Sequence, residues 1–125
     1  MKLQHLNLCV NDLTESKNFF ENLFGFKTLD IKGEAIAVMD DGHGFILVLS
    51  NAQAFGGAAP VYPKDFHIGF FVDRPDEVDH MYERLQVTAG IVLDSEPKNM
   101  RGSYSLYFRA LDNILFEITC LQKGS

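Results

Sequence analysis

With 125 residues, 46% of them hydrophobic, and a formal net charge of −6, the chain holds one domain's worth of material and a balance that disfavours phosphate backbones and anionic membrane surfaces. The longest apolar runs, "FILVLS" and "IGFFV", are far short of a bilayer span, and the first dozen residues lack a signal-peptide core. The expectation is a cytoplasmic protein with no nucleic-acid and no membrane partner, and with no disulfide, since Cys9 and Cys120 fall on different strands with different facing.

The first predicted element is a strand in "QHLNLCVN". Alternation puts Leu6, Leu8 and Val10 on one face and His5, Asn7 and Cys9 on the other. A helix follows, with Phe19, Phe20, Leu23 and Phe24 on its apolar face and Gly25 as its stop. Three short strands come next, at 26–32, 34–40 and 45–50, the last two joined by "DDGHG". The Gly, Ala and Pro content of "NAQAFGGAAPVYPKD" marks residues 51–65 as a linker.

Beyond the linker the order repeats. In "FHIGFFVD" Ile68, Phe70 and Val72 share the helix-facing side, and His67, Gly69 and Phe71 the other. Pro75, Asp76 and Glu77 suit a helix start, and Val78, Met81, Tyr82 and Leu85 recur at i, i+3, i+4 and i+7. Strands are expected at 90–96, 103–109 and 114–120, with "ALDN" as the last turn. At one constant offset His5 aligns with His67, Val10 with Val72, Glu15 with Glu77, Glu21 with Glu83 and Leu23 with Leu85. The fold class is therefore α+β: two tandem βαβββ modules, 1–50 and 66–125, forming curved mixed sheets around a concave cleft with the helices outside. A single module leaves one sheet face bare, so two must pair into one structural domain.

Both histidines point away from the predicted helices. So does Glu117 in "ILFEITC", which alternates with Phe116 and Ile118. A carboxylate inside an apolar strand is costly unless it is paired or bound to a cation. Two imidazoles and a carboxylate are a ligand set for a divalent transition metal, with positions left for water or substrate. Singly, each has a plainer reading: a strand-start histidine that hydrogen-bonds at the surface, a terminal-strand glutamate that faces water. Equivalent placement of His5 and His67 in the repeat favours the metal. His43, in a turn, and His80, on the second helix, lack that placement. A Cys9–His5 nucleophile pair fails on distance, since four strand residues put them about 13 Å apart. In "RGSYSLYFRA", Tyr104, Leu106 and Phe108 face the helix and Ser105, Tyr107 and Arg109 the cleft. Tyr107 is the catalytic candidate, placed to hydrogen-bond an oxyanion; Arg109 either pairs with an anionic substrate or Glu117 or reaches solvent. Asn7, Val48, Phe71, Ser105, Tyr107 and Arg109 are the expected substrate contacts.

These features resemble the vicinal oxygen chelate superfamily of glyoxalase I, bleomycin-resistance proteins, fosfomycin-modifying thiol transferases and extradiol dioxygenases. The likeness rests on "HLNLCVNDLTESKNFFENLFGFK" and "HIGFFVDRPDEVDHMYERL", which open the modules, and on "YFRALDNILFEI", which closes the second. It implies metal ligands at His5, His67 and Glu117. Aligning "FILVLS" with "ILFEITC" sets Val48 against Glu117, so the fourth ligand of glyoxalase I is missing. The implied protein is a metal-dependent lyase, transferase or dioxygenase using Zn, Mn, Ni or Fe on a small oxygen-rich substrate. The alternative is a metal-free protein that sequesters a small drug or toxin. The resemblance also implies a homodimer, with sites shared between chains if modules are exchanged.

Overall fold

The computed structural model describes residues 1–58 and 60–121. The chain divides between Val61 and Tyr62 into two compact units. The described residues form two helices and nine strands in two mixed sheets, an α+β architecture. No helix among them is long and apolar enough to cross a membrane.

The first unit contains β1 (His5–Val10), α1 (Leu13–Phe24), β2 (Lys27–Lys32), β3 (Ile36–Asp40) and β4 (Ile46–Asn51). The sheet order is β1-β4-β3-β2, with β1 parallel to β4 and the other pairs antiparallel. Asp12 caps α1 by accepting the Glu15 N–H at 3.0 Å, and Gly25 ends it in the left-handed region at φ 69°, where a side chain would be strained. Phe20 and Leu23 are buried, as are Leu8, Val10, Met39 and Leu49 on the strands. Phe19 and Phe24 are only half-buried and meet each other edge-on at 5.6 Å. Leu6 is 39% exposed, so the apolar face expected of β1 closes only at Leu8 and Val10. A short 3-10 turn, Ala52–Phe55, occupies the start of the expected linker, with Asn51 as its cap.

The second unit contains β5 (His67–Phe71), α2 (Pro75–Gln86), β6 (Val92–Leu93), β7 (Lys98–Met100), β8 (Ser103–Ala110) and β9 (Ile114–Leu121). Its order is β5-β9-β8-β6, with β7 also paired to β8. Of the single strand expected at 90–96 only β6 forms, and a second short strand, β7, which the expectation did not include, follows Pro97. Pro97 has no N–H to donate to a ladder. Leu93 opposes Phe108 and Lys98 opposes Ser105, so five positions on one strand span three on the other. At the start of α2 the Glu77 carboxylate accepts from the Asp73 and Arg74 N–H groups at 2.9 and 3.1 Å. Val78 and Leu85 pack toward Leu106, Phe108, Phe116 and Ile118, all fully buried. Phe108 and Phe116 are opposed on neighbouring strands and stack at 5.3 Å. Cys120 is buried and Cys9 half-buried.

Helix α2 is also tied to the sheet by the Tyr104 hydroxyl, which donates to Asp79 at 2.5 Å. That bond, with a smaller contribution from desolvation, holds the Tyr104 phenol above its ordinary value. A group whose pKa is raised on folding adds stability that is full below the unfolded value of about 10 and is lost as pH rises through the folded value. Denaturation midpoints across the alkaline range are therefore expected to fall with pH, and Tyr104→Phe to flatten that fall. An unchanged slope in Tyr104→Phe would show that the bond contributes nothing to the alkaline limb.

Candidate functional site

Within each unit the sheet face away from its helix carries three cross-strand rows. In the second unit they read His67–Leu115–Arg109, Gly69–Glu117–Tyr107 and Phe71–Thr119–Ser105 across β5, β9 and β8. In the first unit they read His5–Ile46–Asp40, Asn7–Val48–Val38 and Cys9–Ser50–Ile36 across β1, β4 and β3. Val48 thus occupies in β4 the ladder position that Glu117 occupies in β9. The two sheets share a plan, but only the second has ionisable side chains in its middle row.

Glu117 is held through one oxygen and faces His67 with the other. Tyr107 Oη donates to Glu117 Oε2 at 2.9 Å, while Oε1 lies 3.8 Å from His67 Nε2. His67 Nδ1 is 2.9 Å from the Asp65 carbonyl oxygen, which can only accept, so Nδ1 carries a proton and, in the neutral ring, Nε2 keeps its lone pair. The carboxylate side chain is 19% exposed and the imidazole 47%. Gly69, opposite Glu117, leaves its flank open: a Cβ there would already touch Oε1 at 3.7 Å. Burial, followed by the bond to Glu117, pushes the Tyr107 phenol above its usual value, which keeps it a donor.

Two ligands about 2.1 Å from a shared ion lie about 3.4 Å apart at a tetrahedral angle. The 3.8 Å between Nε2 and Oε1 is close to that bite, and both atoms have lone pairs not otherwise engaged by the bonds just described. The donor pair fits a divalent metal. No three His, Cys, Asp or Glu side chains gather around a possible ion among the described residues. His5 belongs to the first unit, where its exposed ring points Nδ1 at Gln4 Oε1 at 3.2 Å.

The other expected contacts have definite partners. Asn7 Oδ1 accepts from the Ser50 hydroxyl at 2.8 Å. Ser105 and Thr119 hydroxyls are buried together at 2.6 Å, and Ser103 extends the line at 3.1 Å. Phe71 is 74% exposed and Val48 half-buried. The Arg109 guanidinium donates to the carbonyls of Asn113 and Lys64, at 3.0 and 3.2 Å, rather than to Glu117. His43 and His80 are exposed on a turn and on α2.

Beside Tyr107 lies a hollow of about 390 Å³ lined by Asp94, Ser95, Lys98, Met100, Tyr107 and Leu115. Its charged lining escapes a reading of the sequence because Lys98 and Met100 belong to the strand piece created by the break at Pro97. That proline, between two polar stretches, is the signal that could have revealed it.

The family model described as Glyoxalase/Bleomycin resistance protein/Dioxygenase superfamily matches residues 2–118. The metallothiol transferase FosB of Lysinibacillus sphaericus is 34% identical over 115 residues, spanning 92% of this chain and 79% of that protein. A possible glyoxalase from Bacillus cereus superposes with a TM-score of 0.82 at 35% identity, covering 96% of this chain and 99% of that one. The fosfomycin resistance protein FosX from Listeria monocytogenes, complexed with Mn(II) and sulfate, superposes with a TM-score of 0.79 at 24% identity, covering 98% and 91%. The last shares the fold.

Proposed function

Because this chain belongs to the glyoxalase/bleomycin resistance protein/dioxygenase superfamily, we propose that it is a metal-dependent transferase whose ion is held by His5, His67 and Glu117. The observation that carries the reading is the mutual facing of His67 Nε2 and Glu117 Oε1 at 3.8 Å, each group fixed through its other polar atom. Such outer hydrogen bonds are how proteins orient metal ligands and set the histidine tautomer.

The likeness to a metallothiol transferase points to transfer of a thiol onto a small oxygen-rich electrophile, with fosfomycin as the first substrate to try. A bound divalent ion, Zn, Mn, Ni or Fe, would act as a Lewis acid on an oxygen that gains negative charge. Tyr107 orients Glu117 and keeps its proton; Phe71 and the hollow beside Tyr107 offer apolar and charged surface to the substrate. Asn7 and Val48, in the middle row of the first sheet, and Ser105, in a row of the second, complete the proposed contacts. Val48 in place of a carboxylate removes the base that a four-ligand glyoxalase I would use. We further propose that the two modules pair as one functional domain, in a homodimer that shares sites if modules are exchanged.

Elemental analysis of protein purified without chelator, coupled to a thiol–fosfomycin conjugation assay, tests the reading. Bound divalent metal and metal-dependent conjugation are expected. Protein that takes up none of Zn, Mn, Ni or Fe but binds small molecules would establish a metal-free sequestering protein instead.

A further inference from the structure

We propose that Arg109 is a positioning residue for His67, acting through the turn that precedes β5. Its role as a positioning residue rests on His67 being a metal ligand; the geometry stands without that.

Arg109, Leu115 and His67 lie in one cross-strand row, two strand spacings from end to end, or about 10 Å. An extended arginine side chain crosses most of that distance. Its Nη2 reaches the Lys64 carbonyl at 3.2 Å, and Nη1 reaches Asn113 in the β8–β9 turn at 3.0 Å. Pro63 to Phe66 form a tight turn, closed by Phe66 N–H on the Pro63 carbonyl at 3.1 Å. Phe66 is also stacked on Tyr62 at 4.7 Å.

The turn has two inner carbonyls. Lys64 gives its oxygen to Arg109 and Asp65 gives its oxygen to His67 Nδ1. The two peptide planes meet at the Asp65 α-carbon, so holding the first limits the swing of the second. Arg109 therefore keeps the Asp65 carbonyl aimed at the imidazole. The consequence lies in the proton. With Nδ1–H bonded to Asp65, Nε2 is free to coordinate; the other tautomer would place a proton on Nε2 facing Glu117 Oε1 and close the pair on itself. A guanidinium serves both carbonyls at once through its planar fork, which a lysine ammonium does not reproduce.

The test reads the His67 ring nitrogens by ¹⁵N NMR in metal-free, full-length protein, well above the ordinary imidazole pKa of about 6.5. Native protein is expected to show Nδ1–H, assigned by its loss in His67→Gln. Arg109→Ala should shift the ring toward Nε2–H and weaken metal binding by about 10-fold or more, the scale of outer-shell losses, with Arg109→Lys recovering part of each. Should Arg109→Ala fail to fold, Arg109→Gln, which retains one amide donor and loses the fork, is read against the same expectation. A folded variant with an unmoved tautomer overturns the proposal whatever its metal affinity. A tautomer that moves in a protein that never takes up metal leaves Arg109's hold on His67 intact and defeats the metal reading instead.

Discussion

Glu117→Ala is expected to reduce bound metal to background, with His67→Ala doing the same, while the protein stays folded. Removing an orienting neighbour of a ligand typically costs 10- to 100-fold in affinity, so removing the ligand itself should cost more than about 100-fold. The fold is expected to tolerate the change, since Glu117 is partly exposed and its truncation leaves a single phenol short of an acceptor, a cost of about 1 kcal/mol. Metal content and melting temperature should be measured together. Glu117→Gln refines the result: it preserves the shape and an oxygen for Tyr107 but removes the charge, so it should retain the fold fully and lose most of the metal. Full metal occupancy in both Glu117→Ala and His67→Ala would end the assignment of this pair as ligands.

Phe116→Ala carries the largest expected loss of stability, about 3–5 kcal/mol. Phe116 is completely buried and stacked on Phe108 across the β8–β9 ladder, so truncation loses both the transfer of the ring from water and the stacking partner. Against the usual total of about 5–15 kcal/mol, this brings the second unit near unfolding. Phe116→Leu, which fills much of the volume, should cost less. Urea denaturation at one pH compares the three proteins. A loss under about 1 kcal/mol in Phe116→Ala would mean that the site collapses without a cavity. Phe116 and Glu117 are adjacent in sequence yet face opposite ways, so metal affinity should survive in the Phe116→Leu protein.

Strand alternation alone makes that facing legible in the amino-acid sequence. Leu8, Val10, Phe116 and Ile118 lie on the buried sides, and each half runs strand, helix and then further strands because its apolar residues recur at period two and then at 3.6. Helix ends are equally legible, because Gly25 and Pro75 act through their own backbone restrictions. What alternation does not encode is contact made through other elements. The Arg109 donors reach carbonyls that belong to no periodic pattern, whereas charge, the only cue in the residue types, points them at a carboxylate. The Asp65 carbonyl that selects the His67 tautomer is a backbone atom in a turn, invisible in residue types. The exposure of Leu6 is likewise tertiary: a strand pattern names a face, and only the packed helix decides how much of that face is covered.

The break at Pro97 has a bearing on life at high concentration. A long, regular border strand presents a row of unmated amides on which another molecule can extend the sheet, the first step of many aggregates. Here that border consists of a two-residue and a three-residue piece, offset by a bulge and bearing Lys98. Too few consecutive donors remain in line to template a foreign strand. The same irregularity that hollows out space beside Tyr107 thus also guards that margin of the sheet against unwanted polymerisation.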